Sequence, residues 1–116
     1  MIGPARGAKI YIATQPVDFR KGMDGLAAYV KANLETDPYS GSLFVFRTKC
    51  GDRMKVLVWD GTGLVLVYKR FAAGGIKWPG PKGAKLNITW LQFQALFEAL
   101  GWRRITAVSE VTPKQL

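Results

Sequence analysis

Two short β-branched runs set around a tight turn constrain this chain more than any other feature. Arg53-Met54-Lys55-Val56-Leu57-Val58-Trp59 and Leu64-Val65-Leu66-Val67-Tyr68-Lys69-Arg70 flank Asp60-Gly61-Thr62-Gly63, which carries the Asp and Gly that hairpin loops favour. With Gly61-Thr62 as a two-residue loop, Trp59 opposes Leu64, Leu57 opposes Leu66, Lys55 opposes Tyr68 and Arg53 opposes Arg70. Arg53, Lys55, Lys69 and Arg70 then crowd the open end of the hairpin, although like charges on neighbouring strands repel. A chain that keeps them together is suited to hold an anion.

A third strand is expected over residues 42–49, giving an antiparallel meander with 53–60 and 63–71. Read with Cys50-Gly51-Asp52 as a three-residue loop, Lys49 opposes Arg53 and Arg47 opposes Lys55. Side chains alternate between faces, so Phe44, Phe46, Met54, Val56, Val58, Val65 and Val67 form one core face, closed by helices. The other face carries apolar Leu43, Val45, Leu57, Leu64 and Leu66 at one end. At the other stand Arg47, Lys49, Arg53, Lys55 and Arg70 around Tyr68. That arrangement is a candidate cradle for sugar-phosphate backbone, with Tyr68 available to stack on a base or bond a phosphate. The alternative reading is a solvated face with scattered cations, and a one-residue slip reverses the whole assignment.

The remaining elements surround this meander. Lys9-Ile10-Tyr11-Ile12-Ala13 is a short strand, and a loop over 16–22 leads into a helix with Met23, Leu26, Ala27, Val30 and Leu34 on one face. In that loop Asp18 and Arg20 form a local pair, or Arg20 and Lys21 extend the basic surface. A Gly/Pro-rich stretch over 72–83 includes Lys77-Trp78, where Trp78 reads as a nucleic-acid contact or as a lid on the sheet. Lys85-Leu86-Asn87-Ile88 reads as a further strand, and Thr89 with Gln92 is a capping box for a second helix. Phe93, Leu96, Phe97 and Leu100 line that helix, which stops at Gly101. The expectation is a single α+β domain over 9–108, an antiparallel β-meander flanked by two amphipathic helices, with an arm over 1–8 and a tail over 109–116.

Charge and composition narrow the function classes. The 116 residues hold 17 Lys and Arg against 8 Asp and Glu, a net charge of +9. That balance fits a partner rich in phosphate, an anionic membrane surface or an acidic protein. No apolar run reaches the ~18 residues that cross a bilayer. The single cysteine, Cys50, forms no internal disulfide and points to a reducing cytoplasm. There is no histidine, which removes the commonest general base and metal ligand. Neither a zinc spacing nor a phosphate loop is present, and no cofactor is expected. A metal-dependent nuclease would draw on Asp18, Asp52, Asp60 and Glu98. Asp52 and Asp60, however, bracket one strand and lie ~25 Å apart.

Several blocks in order carry a resemblance: Pro16-Val17-Asp18-Phe19-Arg20-Lys21-Gly22, Asp37-Pro38-Tyr39-Ser40-Gly41, Leu43-Phe44-Val45-Phe46, Asp52-Arg53-Met54-Lys55 through Trp59-Asp60-Gly61-Thr62-Gly63, Lys69-Arg70 and Trp78-Pro79. Over residues 9–101 the chain resembles the TnpB accessory proteins of insertion-sequence family 66, which are unrelated to the much longer RNA-guided nucleases of that name. It departs from the family pattern over 71–76 and at Trp102-Arg103-Arg104. The resemblance implies a non-catalytic accessory role in transposition of a bacterial mobile element, with DNA, the transposase, or both as partner. The residues expected to contact phosphate are Arg47, Lys49, Arg53, Lys55 and Arg70, with Tyr68 beside them and Arg20 and Lys21 as an outlying pair.

Overall fold

Apolar runs bounded by Gly, Pro and Asp condense into five strands and two helices: β1 Ile10–Ala13, α1 Met23–Asn33, β2 Leu43–Arg47, β3 Arg53–Trp59, β4 Leu64–Arg70, β5 Lys85–Ile88 and α2 Trp90–Phe97. The computed structural model describes residues 8–72, 78 and 83–98. The expectations for the N-terminal arm, Lys77, Leu100, Gly101 and the C-terminal tail lie outside the described residues. The strands form one sheet in the order β4-β3-β2-β1-β5. β2, β3 and β4 are the expected meander. β1 runs parallel to β2, with α1 as the crossover that a parallel pair requires, and β5 pairs antiparallel to β1. The fold is a single α+β domain.

The β3–β4 register follows from its turn. Asp60 Oδ1 accepts from the Thr62 and Gly63 amides at 2.8 and 2.9 Å, and Gly61 takes φ +101°, a region that favours glycine. Asp60 N bonds Gly63 O, leaving Gly61 and Thr62 as the two-residue loop. Arg53 therefore lies opposite Arg70 and Lys55 opposite Tyr68, as the sequence predicts.

The β2–β3 register is displaced by one residue from the expected one. Arg47 pairs with Met54 and Phe46 with Lys55. Thr48 N donates to Arg53 O at 3.3 Å, so the connection is a loop over 49–52. Gly51 in the left-handed region (φ +73°) and the Thr48 Oγ1 bond to Asp52 Oδ1 at 2.8 Å hold it. Every β2 side chain thereby changes face.

The two helices cover opposite faces of the sheet rather than closing one. On one, Leu26, Ala27, Val30 and Leu34 pack on Ala13, Phe44, Phe46 and Leu57. On the other, Phe93 and Leu96 of α2 pack on Ile10, Ile12, Leu43, Val45, Met54, Val56 and Val58. The capping box starts α2 as expected: Thr89 Oγ1 accepts from Gln92 N while Gln92 Oε1 accepts from Thr89 N.

Candidate nucleic-acid interface

The face that α1 covers runs out towards the open end of the β3–β4 hairpin, where Arg53, Lys55, Tyr68 and Arg70 share one side by strand alternation. Arg70 is exposed and Arg53 half-exposed. Neither has a carboxylate within ion-pair distance among the described residues. Tyr68 is 54% exposed, and its hydroxyl has no hydrogen-bond partner among them.

Lys55 occupies the centre of this group and is buried, at 8% exposure. A buried ammonium has to be fully engaged to be tolerated. Its Nζ donates to Phe19 O at 3.0 Å and Lys21 O at 3.1 Å, and it lies 4.9 Å from the Phe19 ring centroid and 5.5 Å from that of Tyr68. Phe19 and Tyr68 meet nearly perpendicular at 6.0 Å, a favourable aromatic geometry. Lys55 is thus a pin that fastens the 16–22 loop to the hairpin. The loop brings Arg20 and Lys21, both exposed, to the same end of the sheet as Arg53 and Arg70. Phe19 was absent from the expected residues. Its signal is the alternation of Val17 and Phe19 with Asp18 and Arg20, an apolar-polar period that marks a segment lying against a surface.

The register change removes Arg47 from the group. It sits on the α2 face, where it donates to Thr14 O at 3.2 Å and lies 5.8 Å from the Trp78 ring centroid. Its Nε is buried without a partner among the described residues, and burial pushes its pKa down. Trp78 in turn donates to Ala13 O at 3.2 Å, packing as a lid on the sheet. Lys49 is exposed in the 49–52 loop rather than on a strand. Two further lysines clasp helix ends, which carry orphan carbonyls and partial negative charge. Lys69 donates to Phe97 O of α2. Lys85 donates to Leu34 O at 2.9 Å, the C-cap of α1, and to Thr36 Oγ1. Arg47, Lys55, Lys69 and Lys85 are therefore spent inside the fold. Among the described residues, Arg20, Lys21 and Arg70 are exposed and Arg53 half-exposed, while Lys9, Lys31 and Lys49 are exposed elsewhere on the surface.

Within the loop, Asp18 and Arg20 form the local pair: Arg20 Nη2 lies 2.7 Å from Asp18 Oδ2, and Asp18 Oδ1 also accepts from Arg20 N at 2.9 Å. The Arg20 guanidinium and amide hold the Asp18 carboxyl well below its ordinary 3.8, at about 2, and Asp18 raises Arg20 in return. A carboxyl depressed in the folded state contributes above its unfolded pKa and loses that contribution as pH falls towards the folded value. A carbon-detected NMR titration is expected to place Asp18 at about 2, and to move it part of the way back up in Arg20→Ala, where the residue-20 amide remains as a donor.

The acids hold local structure. Besides Asp18, Asp52 accepts from Thr48 and Asp60 from its own turn, whose Thr62 amide leads in drawing its pKa down. Among the described residues no three Asp, Glu, Cys or His side chains cluster to hold a metal ion. No helix among them is long and apolar enough to cross a membrane.

Comparison with known proteins places these features in a family. The family described as IS66 Orf2 like protein matches residues 8–107. Two proteins of Sinorhizobium fredii (strain NBRC 101917 / NGR234) are similar along nearly their whole length. The uncharacterized protein y4jC is 46% identical over 105 residues, 90% of each chain. The uncharacterized protein y4hO is 35% identical over 103 residues, 89% of this chain and 90% of its own. No solved structure matches. From β1 to beyond α2, through both the pinned loop and the basic hairpin, the chain belongs to the IS66 Orf2-like family, whose role is accessory to transposition.

Proposed function

We infer that this protein assists transposition without chemistry of its own, by holding DNA backbone on the hairpin end where Arg53, Arg70, Arg20 and Lys21 converge. The observation that carries this reading is the cross-strand placement of Arg53 and Arg70. Like charges facing each other cost stability, and no carboxylate among the described residues relieves them. An anionic ligand does. Phosphates set along a strand are the chemistry that arginine forks recognise best. The exposed Cys50 thiol suits a reducing cytoplasm.

Fluorescence anisotropy of a labelled duplex, titrated with the protein at several salt concentrations, tests this. Affinity is expected to fall linearly on a log–log plot, by roughly 0.9 in slope for each phosphate neutralised, and alike for unrelated sequences. With Arg20 already paired to Asp18, the three unpaired cations Lys21, Arg53 and Arg70 predict a slope of about −3. Absence of binding at low salt removes DNA as the direct partner. An acidic surface of the transposase then becomes the ligand for the same cations, to be sought by direct binding of the two proteins.

A further inference from the structure

We propose that the Tyr68 ring is a stacking platform for an unpaired base, so that the basic hairpin end prefers single-stranded or unwound DNA to duplex. The inference rests on the backbone-binding reading and deepens it. Three observations carry it.

Tyr68 is the most exposed large apolar side chain among the described residues, at 54%, and it stands on a strand of a rigid sheet, not on a loop. The ring is held in place: Phe19 meets it nearly perpendicular at 6.0 Å, and the Lys55 ammonium sits 5.5 Å from its centroid. That ammonium is itself fixed by two carbonyls, so the platform is set before any ligand arrives and loses little freedom on binding. The phosphate-seeking groups lie one step along the same face. Arg53 and Arg70 are two residues from Lys55 and Tyr68 on their strands, about 7 Å away at the usual rise.

A duplex offers no base face to such a ring, because its bases are stacked on one another inside the helix. A single strand offers a base face and a phosphate together. An aromatic on a sheet flanked by cations is a sequence-tolerant way of taking both.

The test compares three labelled probes of one sequence by anisotropy at fixed salt: the single strand, the duplex, and the duplex with a single-stranded overhang. Wild-type protein is expected to bind the strand and the overhang at least about fivefold tighter than the duplex. Tyr68→Ala is expected to abolish that margin, its affinity for the strand falling at least about fivefold further than its affinity for the duplex. Tyr68→Phe keeps the ring and is expected to keep the margin. Circular dichroism melting of both variants reads the fold separately, because the Tyr68 ring also contacts Phe19 and Lys55. Equal affinity for strand and duplex, with Tyr68→Ala indifferent to both, overturns the platform and leaves the backbone reading standing. If wild-type protein binds none of the probes at low salt, both fall together.

Discussion

Lys55→Ala is expected to lower the unfolding free energy by on the order of 3 kcal/mol, the largest loss from any single cation among the described residues. Lys55 looks from the sequence like one more basic residue on an exposed face, yet only 8% of it is exposed. Truncation strands Phe19 O and Lys21 O, which its ammonium now satisfies. It also removes the buried aliphatic stem and takes the ammonium away from the Phe19 and Tyr68 rings. The loss is smaller than the sum of these terms, because an ammonium buried in the native state has already given up much of its hydration. Lys55→Met separates the contributions. It restores the stem without the donors, and is expected to recover about half of the deficit. Urea unfolding reads both variants as a shift in midpoint at constant slope. Amide exchange supplies the local readout: the Lys21 N–H, bonded to Asp18 O, is expected to exchange faster than in the wild type as the loop detaches. A Lys55→Ala variant as stable as the wild type, with that amide equally protected, would show the pin to be incidental.

The hairpin was legible because its turn is chemically specific. Asp60 and Gly61 admit few alternatives, and once the loop is Gly61-Thr62 every β3–β4 pair follows. The second helix was legible for the same reason: Thr89 and Gln92 complete a reciprocal cap at the expected place. β2 offered no such signal. Leu43, Phe44, Val45 and Phe46 are all buried, because the strand lies in the middle of a sheet covered on both faces. A strand apolar on both sides has no alternation with which to state its register. The decision then fell to the β2–β3 loop, where Gly51 suits a connection of either three or four residues. Only the long-range partners decide it. Phe44 stacks on Tyr11 and Phe46 meets Tyr29 of α1, which fixes both rings on the α1 face and sends Arg47 to the other.

The same limit explains why the cations could be counted but not sorted. Lys55, Lys69 and Lys85 find their partners in carbonyls 28 to 51 positions away, and Arg47 reaches back 33 to Thr14. Local pattern carries no trace of such contacts. Net charge overstates what the surface offers by every cation consumed in this way. The cations that remain at the hairpin end are more informative than the total, because their positions are set by two turns and one pin.

Arg53→Glu is expected to move stability and DNA binding in opposite directions. Arg53 faces Arg70 across the β3–β4 ladder, so a glutamate there turns a repulsive pair into an attractive one, a gain of about 0.5 kcal/mol. The same change removes one phosphate contact and adds a negative charge beside the others, a loss of about tenfold or more in duplex affinity at moderate salt. The double variant Arg53→Glu with Arg70→Glu restores a like-charged pair, now negative. Its stability should return to about the wild-type value, while its affinity falls by on the order of a hundredfold and the salt slope flattens by roughly 2. Thermal melting and anisotropy on the same preparations give both readouts. A residue kept for the fold would lose stability on charge reversal, and a surface cation of no consequence would leave binding alone. Stability gained as binding is lost is the mark of a position held at a cost to the fold for the sake of its ligand. Unchanged affinity in the double variant would remove Arg53 and Arg70 from the interface.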